Sequence, residues 1–154
     1  MSIGQTAKPG GKQPLLNRVM SRVLRSPLSR LVDGSVMLLT VYGSRSGRPY
    51  TFPVQYVQRG DVLWIYVGRS EEKTWWHNLA REARVQVVLR GRMHRGRGVT
   101  YTHDRQPDLV EEGLRQWADR FPRIAKRLGI RPGDAEAFAR SAARSTMVHV
   151  RLET

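Results

Sequence analysis

The chain contains no cysteine. A disulfide scaffold, a thiolate metal site and a cysteine nucleophile are thereby excluded. Acidic residues are scarce: 13 Asp and Glu stand against 27 Lys and Arg, a net charge of +14. That excludes an acidic tail and leaves three kinds of partner, namely nucleic acid, an anionic membrane surface or an anionic small molecule. Lysine is scarce too, since 23 of the 27 basic residues are arginine. Long apolar runs are missing. Nothing approaches the roughly 20 residues of a membrane-spanning helix. The opening MSIGQTAKPGGKQPLLNRV lacks the apolar core and small-residue cleavage site of a secretory signal, so a cytoplasmic protein is expected. Four histidines without H-E-x-x-H spacing give no reason to expect a metal site.

What is present fits one domain: 154 residues, 40% of them hydrophobic. Residues 1–13 read as a flexible tail, with residues 14–154 as a single domain. From Pro14 to Val32, Leu16, Val19, Met20, Val23 and Leu24 recur at helical spacing, with Arg18, Arg22 and Arg25 on the opposite stripe. Such a helix packs on its own domain or lies on the inner face of an anionic membrane. Beyond Asp33-Gly34 the sequence turns β-rich. Strands are predicted over Ser35–Tyr42, Tyr50–Gln58, Val62–Gly68, Val85–Leu89, Arg92–His103 and Thr146–Leu152. Pro53 marks an edge or a bulge. Arg59-Gly60-Asp61 reads as a hairpin tip rather than an adhesion tripeptide, and the glycines of the fifth strand are expected to loosen its middle. A short helix is expected over Thr74–Ala80, and a helical insert over Asp104–Ala143, with Trp117, Phe121, Leu128 and Phe138 as its core contacts. Strands in a meander, without alternating helices, give an α+β fold whose strands most simply close into a small barrel.

Two segments carry candidate chemistry. In Gly43-Ser-Arg-Ser-Gly-Arg-Pro49, two glycines free the backbone, two serines offer hydroxyls and two arginines offer forks for phosphate or carboxylate. An ordinary basic hairpin turn has the same composition. In Lys73-Thr-Trp-Trp-His-Asn-Leu79, adjacent tryptophans on a helix point about 100° apart, so both cannot enter one core: either one faces a cleft or both cover the end of the barrel. Lys73 and the helix N-terminus add positive potential there. A third segment, Arg90–Arg97, is the densest basic run, but no aromatic is interleaved for base stacking.

These residues carry a resemblance. Leu39-Thr-Val-Tyr-Gly-Ser-Arg-Ser-Gly-Arg-Pro-Tyr-Thr-Phe-Pro-Val54, then Arg59-Gly-Asp61, then Lys73-Thr-Trp-Trp-His-Asn-Leu79 resemble the deazaflavin (F420)-dependent nitroreductase and quinone reductase family. The family pattern looks like T-x-G-R-K-S-G-x-x-R-x-x-P, a D-G-D hairpin and W-x-x-N-L. The match covers about a third of the chain and departs at Ser44-Arg45, at Tyr50 and in a shorter loop before Trp75. The resemblance implies a split β-barrel related to the pyridoxamine-phosphate-oxidase fold, and hydride transfer from a reduced 8-hydroxy-5-deazaflavin to a quinone, nitro compound or similar electrophile. It implies that Arg45, Ser46 and Gly47 grip the coenzyme phosphate, with Arg48 beside them. It places Pro53, Val54 and Gln55 along the ring, and Trp75 and Asn78 at the W-x-x-N-L positions, with Thr74, Lys73 and Arg69 nearby. The departures keep flavin mononucleotide as an alternative cofactor. Tyr56, Tyr66 and His77 are the candidate proton donors, alongside solvent. The insert is expected to shape substrate access, and barrels of this kind often pair as homodimers. The competing readings are a basic nucleic-acid-binding barrel and a ligand-binding barrel without turnover.

Overall fold

The computed structural model describes residues 34–154. The expected tail, the amphipathic helix and the membrane contact through Arg18, Arg22 and Arg25 lie outside the described residues. Seven antiparallel strands follow: β1 Val36–Tyr42, β2 Pro49–Gln55, β3 Val57–Arg59, β4 Val62–Tyr66, β5 Ala83–Leu89, β6 Arg92–Thr102 and β7 Thr146–Leu152. They form one sheet in the order β2-β1-β5-β6-β7-β4-β3. The outermost strands, β2 and β3, are separated in sequence by Tyr56 alone. Two peptide steps span only about 7 Å. The two edges of the sheet therefore meet at Tyr56, and the sheet curls into a split barrel. Tyr56 is 1% exposed at this seam, and its N–H donates to the Ser35 carbonyl at 3.2 Å.

The single strand expected over Tyr50–Gln58 is thus two strands on opposite edges. No local signal marks the break, because both halves keep extended backbone. Pro53 sits on edge strand β2, where its missing N–H costs no ladder bond. The Gly60-Asp61 hairpin forms as expected, with Gly60 at φ 61° and Arg59 opposite Val62.

The barrel interior is filled by alternate residues: Met37, Leu39 and Val41 from β1, Leu63 and Ile65 from β4, Val85, Val87 and Leu89 from β5, and Val148 and Val150 from β7. Leu79 plugs this interior from the loop between β4 and β5. The glycines of β6 make that packing tight rather than loose, contrary to the sequence expectation. A Cβ on Gly98 would lie 3.2 Å from Leu79 Cδ1, and one on Gly96 would lie 2.8 Å from the Arg151 carbonyl oxygen.

The insert supplies α1 Pro107–Arg120, α2 Pro122–Arg127 and α3 Ala135–Ala143. Pro107 opens α1, where its missing N–H has no helical partner to lose. Asp108 in the first turn and Arg120 in the last complement the helix dipole. Asp134 caps α3 by accepting the Ala137 N–H at 3.0 Å. Val110, Leu114 and Trp117 of α1, with Phe121, bury against Trp64 and Met147 on the outer face of the sheet. Trp117, Phe121, Leu128 and Phe138 all join this second core, as the helical period predicted.

His149 of β7 lies half-buried here, edge-on to Trp64 at 4.9 Å. Burial pushes its pKa below the usual 6.5, and the Arg151 charge acts in the same direction. The unfolded chain therefore takes up a proton more readily than the folded one. The stabilisation from neutral His149 is complete above the unfolded pKa and is lost as pH falls below it toward the folded value. Lowering the pH from about 7.5 to about 5.5 is expected to depress Tm more in the wild type than in His149→Gln. Equal depression in both proteins would rule this out.

Candidate functional site

The Gly43–Arg48 turn joins β1 to β2. Gly43 N–H donates to the Arg48 carbonyl and Gly47 N–H to the Gly43 carbonyl, both at 2.8 Å. The two glycines serve different ends. Gly47 adopts φ 72°, which favours glycine. A Cβ on Gly43 would lie 2.5 Å from Ser46 Oγ, so the bare α-carbon lets that hydroxyl fold over it. Ser46 Oγ in turn accepts the Arg48 N–H at 3.2 Å. The turn thereby closes on itself and leaves Arg45 exposed at its tip. No carboxylate of the described residues pairs with Arg45.

Opposite lies the segment expected to be a helix. It forms a short 3-10 helix, Trp75–Leu79, rather than an α-helix, and a further 3-10 turn, Ser70–Glu72, lies in the loop before it. Asn78 Nδ2 donates to the Trp75 carbonyl at 3.2 Å, a local bond that competes with helix propagation. A turn this short has no helix terminus to hold an anion, so that part of the sequence reading falls. The two tryptophans do separate. Trp75 packs on Phe52 with centroids 4.9 Å apart. Trp76 stacks on His77 at 3.8 Å, and its Nε1 donates to the Ser70 carbonyl at 2.9 Å. Thr100 Oγ1 donates to the Trp76 carbonyl at 2.8 Å, tying the turn to β6.

Between the two segments opens a cavity of about 510 Å³. Arg45, Ser46, Thr74, Trp75 and Asn78 line it, together with Gly43, Ser44, Tyr50 and Phe52. This volume is within the usual range for small-molecule sites. One side chain joins its two halves: Asn78 Oδ1 accepts the Ser44 N–H at 3.0 Å while its Nδ2 holds Trp75.

The other sequence candidates stand elsewhere. Gly47 and Arg48 belong to the turn but do not line the cavity. On β2 the wall is formed by Tyr50 and Phe52, with Val54 turned the same way into the barrel core. Pro53 and Gln55 alternate to the other face. Strand alternation on Tyr50, Phe52 and Val54 was the signal that would have singled out Phe52. Arg69 and Lys73 line a separate cavity of about 560 Å³ with Tyr66, Leu128 and Arg144. Burial raises the Tyr66 phenol pKa above its usual value, against the Ser145 hydrogen bond. Tyr56 lines a third cavity at the barrel seam. His77 is exposed on Trp76. None of the three candidate proton donors therefore lines the groove. No insert residue lines it either; the insert reaches the seam cavity, through Asp119 and Arg120, and the Tyr66 cavity, through Leu128. Among the described residues no cluster of His, Asp and Glu could hold a metal, and no helix is long and apolar enough to cross a membrane.

A family model described as F420H(2)-dependent quinone reductase matches residues 17–130. Among solved structures, an F420-H2 dependent reductase superposes with TM-score 0.54 at 14% identity, over 77% of this chain and 94% of that one. A Listeria innocua protein assigned as a pyridoxamine 5'-phosphate oxidase gives TM-score 0.52 at 14% identity, over 91% and 94%. The heme storage protein HutZ of Vibrio cholerae gives 0.51 at 13%, over 85% and 91%. At such identities these likenesses speak to the fold, a pyridoxamine-phosphate-oxidase-like split barrel. No curated protein matches the chain.

Proposed function

The chain belongs to the F420H(2)-dependent quinone reductase family, and from that premise we propose that it reduces a quinone, or a nitro compound of similar electrophilicity, with the deazaflavin held in the Gly43–Asn78 groove. One observation carries the placement: the aromatic rings of Trp75 and Phe52 and an arginine without a carboxylate partner among the described residues line the same cavity. The chemistry of the lining fits the coenzyme. Its ring is aromatic and its phosphodiester and glutamate tail are strongly anionic.

When bound, the reduced deazaflavin supplies the hydride, so the chain needs no nucleophile of its own. Trp75 and Phe52 would give the ring an aromatic wall and exclude water from one side. Arg45 takes the phosphate as a planar fork, a geometry a lysine cannot match. Lys73 precedes the groove residue Thr74 in sequence, and its charge would attract the acidic tail from outside the groove. Ser44, Arg45 and Ser46 are exposed, so solvent reaches the groove mouth and supplies the proton.

The test is a fluorescence titration of the purified protein with oxidised deazaflavin, with flavin mononucleotide run in parallel. Saturation at micromolar protein is expected for the deazaflavin. Arg45→Gln is expected to weaken it about tenfold, the loss of one charge-assisted contact. Saturation by flavin mononucleotide alone would reassign the cofactor, and no binding of either would sink the proposal. Return of the coenzyme absorbance over a panel of quinones and nitro compounds then identifies the acceptor class.

A further inference from the structure

The third cavity, at the seam of the barrel, has a volume of about 300 Å³ and shares no lining residue with the groove. Arg59, Arg90 and Arg120 converge on it from the end of β3, the β5–β6 turn and the end of α1. Asp119 is the one acidic residue on its described wall, and Tyr56 is buried in it. We propose that this cavity binds a phosphate-bearing small anion.

Three observations carry this. First, no guanidinium among the three forms an ion pair within the described residues, Asp119 included. Three guanidinium groups against the one carboxylate of Asp119 leave the cavity wall with excess positive charge, which an anion offsets.

Second, Arg90 occupies a backbone position that suits other residues better. Leu89 pairs with Arg92, which leaves Arg90-Gly91 as a two-residue hairpin loop. Its φ angles are 47° and 83°. Such a loop favours asparagine or glycine at the first position, and a long side chain there is strained. The strained residue is the one whose guanidinium reaches the cavity.

Third, that guanidinium is seated. Gly34 has φ 84°, and a Cβ there would lie 3.1 Å from one Arg90 Nη and 3.2 Å from its Nε. The bare α-carbon is what lets the fork lie flat. Arg59 is likewise held, its Nε donating to Gln116 Oε1 at 3.3 Å, which turns its remaining donors to other partners. Prearranged planar forks are the preferred recognition element for phosphate.

The test uses the full chain and inorganic pyrophosphate, with inorganic phosphate in parallel, by calorimetry at matched ionic strength. Arg90→Gly is the informative variant. Glycine accepts φ 47°, so the loop keeps its shape while the guanidinium is lost. Saturable one-to-one binding is expected for the wild type, weaker by about tenfold in Arg90→Gly. Arg84→Gln removes the same charge outside the cavity, where Arg84 lies over the Tyr42 ring at 4.4 Å, and is expected to bind like the wild type. Deazaflavin binding is expected to be unchanged in both variants. Equal loss in Arg84→Gln would mean sequence-blind attraction to a +14 protein and overturn the proposal. So would wild-type binding that never saturates, or undiminished binding in Arg90→Gly.

Discussion

Replacing Asn78 by alanine is expected to lower kcat/KM for the deazaflavin by about ten- to a hundredfold, because misplacing one wall of a site by an ångström can cost that much. The cause is not a lost contact with the coenzyme alone. Asn78 Oδ1 accepts the Ser44 N–H and its Nδ2 donates to the Trp75 carbonyl, so one carboxamide sets the spacing between the Arg45 turn and the Trp75 wall. Both bonds lie at or near the surface and contribute about 1 kcal/mol each to folding. Unfolding free energy should therefore fall by only about 1–2 kcal/mol. Asn78→Asp separates the two bonds. It keeps the acceptor for Ser44 but sets a carboxylate oxygen against the Trp75 carbonyl and adds a negative charge beside the groove, so it should be no better than alanine. The measurements are steady-state kinetics with the coenzyme varied and a denaturant melt of each variant. A normal KM for the coenzyme in Asn78→Ala would remove Asn78 from the positioning role. Arg45→Gln in the Asn78→Ala background should cost less than in the wild type, because residues that act together are not additive.

The second large effect concerns Gly113, in the middle of α1. A Cβ there would lie 2.5 Å from Trp64 Cε3 and 2.7 Å from Cζ3. Trp64 is 2% exposed and belongs to a central strand pair, so its ring has nowhere to retreat. In an exposed helix, Gly→Ala gains about 1 kcal/mol. Here overpacking outweighs that gain, and Gly113→Ala is expected to destabilise by about 2 kcal/mol net. Trp64→Ala alone should cost about 3–5 kcal/mol through the cavity it leaves. In the double variant the alanine at 113 meets space instead of a ring, so the cost of Gly113→Ala should shrink toward zero or reverse sign. Urea melts of the four proteins close the cycle. Additive losses would show that the close approach of α1 to Trp64 is not what requires the glycine.

Much of the local structure was legible. The final strand, Thr146–Leu152, and the Gly60-Asp61 hairpin follow from alternation and turn chemistry alone. So does the insert's core, because Val110, Leu114, Trp117 and Phe121 repeat on one helical face. The Trp75–Leu79 segment is helical as its spacing predicts, but as a 3-10 helix. Its apolar spacing is helical, but a side-chain bond from Asn78 and the anchoring of Leu79 in the barrel shorten it to one tight turn. The glycines of β6 were misread for a related reason. A glycine in a strand looks like a weakness until the side chain that occupies its missing Cβ is known.

The chain by itself determined the chemistry available. No thiol and a +14 excess carried almost wholly by arginine leave anionic partners open, and the Gly-Ser-Arg-Ser-Gly and Trp-Trp-His-Asn-Leu segments in that order carry the family resemblance. Local physics sets all of these, since residue type, turn geometry and period act within a few residues. Only the tertiary structure decided which arginines share a site. Arg45 meets Trp75 because Asn78 bridges two segments 34 residues apart. Arg59, Arg90 and Arg120 meet because the edges of the sheet converge at Tyr56. Net charge is a sum over residues and has no position. The curl of the sheet gives it one: part of the surplus gathers at the Gly43–Asn78 groove and part at the seam cavity.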